Sequence, residues 1–250
     1  LARAIATSFD GSFNRVQFTP DLLPADVTGV DVYNQQTGEF EFHKGPIFAN
    51  VVLGDEINRA PPKSQSALLE AMEERQVSTD GTTHDVPTPF TVIATQNAVE
   101  QSRTYDLPLA ERDRFMSKLQ LGYPDAEEEV AILDRIVGHH PIEDISPAVT
   151  LAEFQSARDV TGSVTVERPI QEYVTDLAGY TREHAQLGAS PRASLALLGA
   201  AQARALLSGR GYVTPDDVQA EISVVWPHRI RSERPPAELV GDAVETVPVA

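Results

Sequence analysis

The chain has 250 residues, is 41% hydrophobic and carries a formal net charge of −17 at pH 7. This length and apolar content are enough to bury a substantial core and to form two compact units. The negative charge disfavours a protein that works mainly by gripping nucleic-acid phosphates, and the absence of cysteine excludes disulfides and thiolate metal sites.

The first residues, LARAIATSFD, predict a helix and suggest that the chain begins inside a larger protein. They have neither the basic start nor the apolar centre of a secretion signal, and no later apolar run has the length of a membrane span. We therefore expect a soluble, cytoplasmic protein without membrane insertion.

Up to about residue 124, short β-rich runs alternate with helical stretches. Four runs predict strands: FNRVQF (13–18), PIFANVVLG (46–54), FTVIATQN (90–97) and SKLQLG (117–122). Two of these runs are nearly continuously apolar, which is typical of strands buried on both faces of a parallel sheet covered by helices. Residues 61–76 place Leu68, Leu69 and Met72 at helical spacing, so we predict an α/β first half.

Two segments predict β-hairpins inserted into this α/β pattern. Residues Val30 to Phe42 alternate around a turn that contains glycine, and residues Val77 to Val86 carry Asp80-Gly81, a strong turn signal. We expect both hairpins at the surface.

The pattern changes to helices after Pro124. Asp125 and Thr214 are predicted helix caps, and Glu127 to Glu129 favour a first turn because acids there meet the positive end of the helix dipole. We predict a core over 1–124, a helical domain over 125–232, and a loosely attached tail over 233–250, where the periodicity is weak.

Two adjacent carboxylates, Asp55 and Glu56, end the apolar run VVLG. The carboxyl edge of a parallel sheet is where open α/β folds bind ligands. One carboxylate there can hold Mg²⁺ while its neighbour orients or deprotonates a water molecule. An apolar strand followed by two acids also arises by chance, so the pair alone is a modest signal.

Polar residues elsewhere strengthen this hypothesis. Asn97 ends another apolar run and can hydrogen-bond a water or a terminal phosphate, although an asparagine that starts a turn is commoner. Arg112 and Arg114 precede the last predicted strand, where a guanidinium could reach a phosphate across a subunit boundary; exposed arginines more often only solvate a surface. Arg192 lies in the first turn of a helix capped by Ser190, a position that favours a nearby anion because a cation there opposes the helix dipole. The alternative is an exposed arginine that tolerates this small penalty.

Taken together, these motifs resemble one known family. The stretches GPIFANVVLGDEINRAPPKSQSALLEAMEERQV, FTVIATQNAVEQ, DRF and GASPRA follow one another in the order and spacing of the MoxR family of AAA+ ATPases, in the clade with a hairpin inserted in its second helix. The similarity runs from the first residues to about Ile230. It implies an α/β AAA+ core with a parallel sheet flanked by helices and two inserted hairpins, followed by an α-helical lid.

The resemblance also implies roles for single residues. Asp55 matches the Walker B magnesium ligand and Glu56 the catalytic glutamate, and Asn97 matches the residue called sensor 1. Arg114 matches the arginine that acts on a neighbouring subunit's nucleotide; Arg112 is the alternative, and Arg114 is preferred because Phe115 follows it directly. Arg192 matches sensor 2 of the lid.

Cofactors and partners follow from the same resemblance. It implies ATP and Mg²⁺ as cofactors, a homo-oligomeric ring that is commonly a hexamer, and partners that contain a von Willebrand factor A domain. The implied work is chaperone-like remodelling of client proteins or insertion of a metal cofactor into them. The negative net charge disfavours nucleic acid as a partner.

The phosphate-binding loop of such ATPases has no counterpart here, since no Gly-x-x-x-x-Gly-Lys run occurs. We expect that the sequence is a fragment whose Walker A loop lies just upstream, and that residues 1–250 alone hydrolyse little or no ATP. Two alternatives remain open: a catalytically inactive regulatory or assembly module, and an MCM-like nucleic-acid motor.

Overall fold

A computed structural model describes residues 1–79, 81–97, 105–136 and 141–249. The α-helices and strands follow one another as α1 (Ala2–Ser8), β1 (Phe13–Gln17), α2 (Pro24–Thr28), β2 (Gly29–Asn34), β3 (Glu39–Lys44), β4 (Val51–Asp55), α3 (Pro62–Glu74), β5 (Gln76–Thr79), β6 (Thr82–Asp85), β7 (Thr91–Ala94), α4 (Leu109–Arg112), α5 (Ala126–Ile136), α6 (Leu151–Thr161), α7 (Arg168–His184), α8 (Pro191–Leu207), α9 (Pro215–Val225) and α10 (Pro236–Thr246). Short 3₁₀ turns cover Ile57–Arg59, Pro141–Asp144 and Pro227–Arg229. The chain forms two units: one comprises residues 1–107 and 123–155, and the other comprises residues 108–122 and those from 156 onward.

The first unit is built on a three-stranded parallel sheet in the order β1-β4-β7. Gln17 pairs with Asp55 across β1 and β4, and Gly54 pairs with Ala94 across β4 and β7. Because all three strands run the same way, their carboxyl ends meet at one edge. The predicted α/β class with a parallel sheet is confirmed.

Alternate residues of the central strand β4 face different packing partners. Val51 and Leu53 pack with a cluster that includes Ala6 of α1. Gly54, on the other face, lies so close to Leu68 of α3 and to Phe18 that an added Cβ atom would come within 3.2 Å of both side chains. Apolar burial on both faces explains why this strand reads as an almost continuous apolar run.

A buried asparagine ties the amino ends of the three strands together. The Asn50 side-chain oxygen accepts hydrogen bonds from the backbone N–H and the hydroxyl of Ser12, and its amide donates to the carbonyl of Pro89 at 2.9 Å. Ser12 precedes β1, Asn50 precedes β4 and Pro89 precedes β7. These contacts fix the register from which the carboxyl ends are positioned.

Both predicted hairpins are present in the first unit. Strand β2 pairs with β3, and β5 pairs with β6, each in antiparallel register. The rings of Phe42 in β3 and His84 in β6 stack at 3.8 Å between centroids. The two hairpins therefore contact each other.

The predicted strand over residues 117–122 is wrong. The backbone N–H of Lys118 donates to the carbonyl of Val224 in α9 at 2.9 Å, so it bonds to a helix end and not to a strand. Leu119 and Leu121 are 67% and 86% exposed. The alternation of apolar residues in this segment resembles that of a half-buried strand. The segment belongs to the second unit, however, and among the described residues of that unit β-pairing occurs only as isolated bridges.

The second unit packs α7, α8, α9 and α10 around one apolar core. Trp226 is fully buried at its centre, and its ring N–H donates to the carbonyl of Ala193 at 3.0 Å. Ser190 caps α8 by accepting from the N–H of Ala193 at 3.1 Å, and Thr214 forms a capping box with Asp217 at the start of α9. The predicted helices and both of these caps are confirmed.

The expectation of a loosely attached C-terminal tail is also wrong. Residues 236–246 form α10, which buries Leu239, Val240 and Ala243 in the core of the second unit. Leu239 and Ala243 are four positions apart, about one helical turn, so a short apolar stripe is enough to anchor the helix. In the part of the chain that is described, no helix combines the length and the apolarity needed to span a membrane.

A buried carboxylate in the second unit generates a pH-dependent stability. Asp217 is 2% exposed, and the Arg210 guanidinium contacts both of its oxygens, at 2.6 and 2.8 Å. This pairing, together with hydrogen bonds from Thr214, lowers the pKa of Asp217 from 3.8 to about 2. Because the folded state binds the proton less tightly than the unfolded state, the contribution to stability is present above pH 4 and is lost as the pH falls through about 2.

We predict that Asp217→Asn lowers the free energy of unfolding by about 2 kcal/mol near pH 6, and that the difference from wild type shrinks towards pH 2. Urea denaturation at a series of pH values measures this. Asp216→Asn, which removes an exposed acid from the same first turn of α9, is the matched control. A difference between Asp217→Asn and wild type that stays constant from pH 6 to pH 2 would contradict the prediction.

Candidate active site

The predicted metal-binding acid Asp55 and the predicted catalytic acid Glu56 lie at the carboxyl edge of the sheet. Asp55 is the last residue of the central strand β4, and Glu56 follows it directly. Each side chain is 23% exposed, so both carboxylates are reachable from solvent while most of their surface is covered by protein.

Asp55 is held by the two strands that flank β4. The hydroxyl of Thr95, which follows β7, donates to its Oδ1 at 2.5 Å, and the guanidinium of Arg15 in β1 contacts its Oδ2 at 2.5 and 3.1 Å. The hydrogen bond from Thr95 holds the pKa of Asp55 below its usual value, and Arg15 lowers this pKa further. Partial burial of the carboxylate acts in the opposite direction. Asp55 is therefore an anion at neutral pH.

Glu56 is held by a different pair of side chains. The amide of Gln17 and the guanidinium of Arg59 each donate to its Oε2 at 2.8 Å. Arg15 and Gln17 are two residues apart on β1, on the same face of the strand, and a 2.8 Å hydrogen bond joins them. Both carboxylates therefore reach the same face of the neighbouring strand.

The backbone of Glu56 explains how two consecutive acids reach one face. Glu56 adopts the left-handed conformation, with φ 55° and ψ 49°, which costs a non-glycine residue roughly 1–2 kcal/mol. Two backbone hydrogen bonds to Thr95 hold this conformation. The N–H of Glu56 donates to the Thr95 hydroxyl at 2.9 Å, and the N–H of Ile57 donates to the Thr95 carbonyl at 3.0 Å. Thr95 thus fixes the backbone of Glu56 as well as the side chain of Asp55.

The residues at this edge fit a magnesium ion that arrives with a phosphate ligand. Mg²⁺ in proteins is usually held by one or two carboxylates, with waters and substrate phosphates as the other ligands. Asp55 supplies one ionised and partly exposed carboxylate, and the Thr95 hydroxyl lies beside it. The exposed ion pair with Arg15 is weak enough to give way to a divalent cation.

Asn97 lies on the same edge, two residues beyond Thr95, and its side chain is exposed. The structure therefore places Asp55, Glu56 and Asn97 after adjacent strands of one sheet. It adds four side chains that the sequence analysis did not single out: Arg15, Gln17, Arg59 and Thr95. The i, i+2 spacing of Arg15 and Gln17 at the end of a predicted strand is the signal that could have identified two of them.

The three predicted arginines belong to the second unit. Arg112 ends α4, Arg114 follows two residues later, and Arg192 is the second residue of α8. Arg112 and Arg114 are half-buried, whereas Arg192 is exposed.

Parts of both units match known protein families. Residues 1–117 match the model of the ATPase family associated with various cellular activities (AAA), and residues 177–248 match the AAA lid domain. A parallel sheet with acids at its carboxyl edge and a helical lid thus define an AAA-type ATPase. The chain belongs to the MoxR family of these ATPases, which confirms the resemblance noted in the sequence.

The relatives cover most of the chain. It is 43% identical over 231 residues to the chaperone MoxR1 of Mycobacterium tuberculosis, spanning 88% of this chain and 61% of the relative. It is 48% identical to the uncharacterised protein YeaC of Bacillus subtilis (99% of this chain, 78% of the relative) and 30% identical to MoxR of Methylorubrum extorquens (99% and 82%). The crystal structure of a candidate ATPase from Cytophaga hutchinsonii superposes with a TM-score of 0.91 at 37% identity, covering 99% of this chain and 80% of that one.

The two hydrogen bonds of the Thr95 hydroxyl generate a prediction. Thr95→Val removes the donor to Asp55 and the acceptor for the N–H of Glu56, so we expect the pKa of Asp55 to rise towards its usual value and the protein to lose about 1–3 kcal/mol of stability. Carbon-detected NMR titration of the aspartate carboxyl groups and urea denaturation measure the two effects.

Thr95→Ser keeps the hydroxyl and should preserve the low pKa. Thr91→Val, on the exposed side of the same strand, controls for replacing a threonine by valine in β7. An unchanged pKa of Asp55 in Thr95→Val would contradict the prediction.

Proposed function

We propose that this protein is an ATPase subunit that couples hydrolysis of Mg-ATP to the remodelling of a client protein. The observation that carries the proposal is the pair of acids at the carboxyl edge of β4, held in one arrangement by Thr95, Arg15, Gln17 and Arg59. A preorganised anionic pair at this edge suits a reaction in which a metal-bound phosphate meets a water nucleophile.

The two acids have different roles in this proposal. Asp55, an anion held by a hydroxyl and a guanidinium, is the residue that would hold Mg²⁺. When bound, Mg²⁺ neutralises the charge that develops on the phosphate oxygens. Glu56 orients the attacking water and accepts its proton, and Asn97, on the same edge, hydrogen-bonds that water or the terminal phosphate.

The contacts of Glu56 suggest how its activity is held back before substrate binds. Its Oε2 accepts from both Gln17 and Arg59, so at least one of these donors must move before this oxygen can accept a hydrogen bond from the attacking water. Binding of a substrate that displaces either donor would release Glu56 towards the water. The proposed catalytic step thus begins with a rearrangement around Glu56.

We further propose a ring, commonly a hexamer, in which Arg114 acts on the nucleotide of a neighbouring subunit and Arg192 on the nucleotide of its own. A guanidinium is suited to both tasks because it stays charged and makes two parallel hydrogen bonds to phosphate oxygens. Client remodelling is supported by the relative named as the chaperone MoxR1. Partners with a von Willebrand factor A domain and metal-cofactor insertion are further proposals from the family resemblance.

We predict that Glu56→Gln in the full-length gene product binds ATP with near wild-type affinity and hydrolyses it on the order of 10²–10⁴-fold more slowly, because the amide cannot accept the proton of the attacking water. Fluorescent-nucleotide binding and phosphate release measure the two quantities. Glu70→Gln, an exposed glutamate of α3, is the matched control and should keep wild-type turnover.

The same experiment separates the competing functions. A full-length wild-type protein that hydrolyses no ATP would favour the inactive regulatory module, and normal turnover in Glu56→Gln would remove Glu56 from its proposed role. ATPase activity that rises on addition of DNA, with binding that weakens steeply with salt, would favour the nucleic-acid motor.

A mixing experiment distinguishes the two candidate arginines. We predict that Arg114→Ala binds ATP but loses hydrolysis by roughly 10³-fold or more, because the charge on the transferred phosphoryl group is then uncompensated. Mixing it with Glu56→Gln should restore turnover, since the Glu56→Gln subunits supply an intact Arg114 to neighbours that keep Glu56. Arg112→Ala should retain its own turnover; the opposite pattern for the two variants would assign the role to Arg112.

A further inference from the structure

The second unit contains a buried ion pair next to Arg114. The side chain of Arg229 is 2% exposed, and its Nη1 contacts Oδ1 of Asp113 at 3.0 Å. Asp113 immediately precedes Arg114 in the chain. The charge pair therefore lies at the backbone of the predicted trans-acting arginine.

Arg229 also holds the backbone on the other side of Arg114. Its Nη2 donates to the carbonyl of Phe115 at 2.6 Å and to that of Met116 at 3.2 Å, and the ring of His228 contacts the Phe115 carbonyl at 2.9 Å. One guanidinium thus fixes the residues before and after Arg114. The fork geometry of arginine makes this possible, because its five N–H groups can serve a carboxylate and two carbonyls at once.

The second oxygen of Asp113 connects this clamp to α8. Oδ2 accepts a hydrogen bond from the hydroxyl of Ser190 at 3.0 Å, and the same hydroxyl accepts from the N–H of Ala193 as the cap of α8. Arg192 lies between these two residues, in the first turn of the helix. A continuous set of hydrogen bonds therefore runs from the backbone around Arg114 to the backbone around Arg192.

Stability alone gives little reason for such an arrangement. Burial lowers the pKa of Arg229, and the negative charge of Asp113 acts in the opposite direction. Folding therefore carries a desolvation penalty at this guanidinium. A buried ion pair can often be replaced by apolar residues of similar size without loss of stability, and sometimes with a gain. Compared with apolar residues, the ion pair fixes the orientation of the groups around it, since each of its hydrogen bonds has a preferred direction.

We propose that Asp113 and Arg229 are positioning residues that hold the backbone of Arg114 and the start of α8 in one fixed arrangement. This inference rests on the proposed function, in which Arg114 acts on a neighbour's nucleotide. Neither residue contacts the nucleotide in this proposal. A displacement of about 1 Å at a group that must meet a phosphate can cost on the order of 10²-fold in rate, so the clamp is required for turnover and not only for folding.

The first test replaces the whole ion pair by apolar residues. The double variant Asp113→Leu/Arg229→Met leaves no unpaired buried charge but removes the donor to the Met116 carbonyl, so we expect a folded protein whose melting temperature is only modestly lower than that of wild type. We also expect kcat to fall on the order of 10²-fold, because the directional contacts around Arg114 are gone. Mixing with Glu56→Gln should restore turnover in part, because the Glu56→Gln subunits supply an intact Arg114 while Arg192 of the double variant still faces its own nucleotide. A folded double variant with wild-type kcat, or one whose turnover mixing does not raise at all, overturns the proposal.

A second variant serves if the double variant does not fold. Arg229→Lys keeps the charge but cannot reach the carboxylate and both carbonyls, so we expect kcat to fall about tenfold with KM for ATP nearly unchanged. Amide hydrogen exchange should rise over residues 113–116 and in the first turn of α8, a readout that needs no ATPase activity. An unchanged kcat and unchanged exchange in Arg229→Lys contradict the proposal.

The control is a second ion pair in the same unit. Arg210→Lys alters the bidentate contact with Asp217 at the start of α9, and it should lower the melting temperature while leaving kcat within about twofold of wild type. All these variants are made in the full-length gene product, and absence of ATPase activity in the full-length wild type would contradict the proposed function. An active wild type with unaffected Asp113 and Arg229 variants would contradict this inference alone.

Discussion

The hydroxyl of Thr95 is the contact on which the candidate active site depends. It donates to Asp55 and accepts from the backbone N–H of Glu56, so one small side chain at the end of β7 fixes two consecutive acids at the end of β4. Both hydrogen bonds require the two strands to end at the same level. The register of the parallel sheet, with Gly54 opposite Ala94, provides this. The buried Asn50 at the opposite end of the strands helps to maintain that register.

Charge compensation is the second constraint at this edge. Two carboxylates in adjacent positions repel each other, and each is paired here with its own cation, Arg15 for Asp55 and Arg59 for Glu56. These pairs are partly exposed, so each contributes at most about 1 kcal/mol. Weak pairs suit the proposed site, in which Mg²⁺ would replace Arg15 beside Asp55 and a water would replace a donor beside Glu56, because a strong buried pair would compete with these ligands.

The sequence predicted the position of the acids because their environment is local. An apolar run that ends in Asp55-Glu56 predicts both the buried strand and the edge where it stops, and the hairpins carry their own turn signals. The contacts of Arg15, Gln17 and Thr95 could not be predicted in the same way. They depend on which strands become neighbours and in which register, a tertiary property that the residues of one strand do not encode.

The two errors in the predicted fold have a related cause. Residues 117–122 alternate as a strand does, but alternation reports burial only when a sheet is available to pair with, and Lys118 bonds to the end of α9 instead. The C-terminal segment has weak periodicity, yet Leu239, Val240 and Ala243 suffice to bury α10. In both segments the tertiary partner decided the structure, against the local pattern.

Local rules of protein structure are broken in this chain beside the candidate catalytic residues. Left-handed backbone at Asp10 and Arg75 follows α1 and α3, where such a residue helps to end a helix. At Glu56 the same conformation ends a strand, and there it brings a carboxylate to the face that carries Arg15 and Gln17. The desolvated guanidinium of Arg229 beside Arg114 is a second local cost. A sequence shaped for stability alone would favour glycine at position 56 and an apolar residue at position 229. Both costs are explained if the geometry of Glu56 and Arg114 is what the surrounding contacts serve.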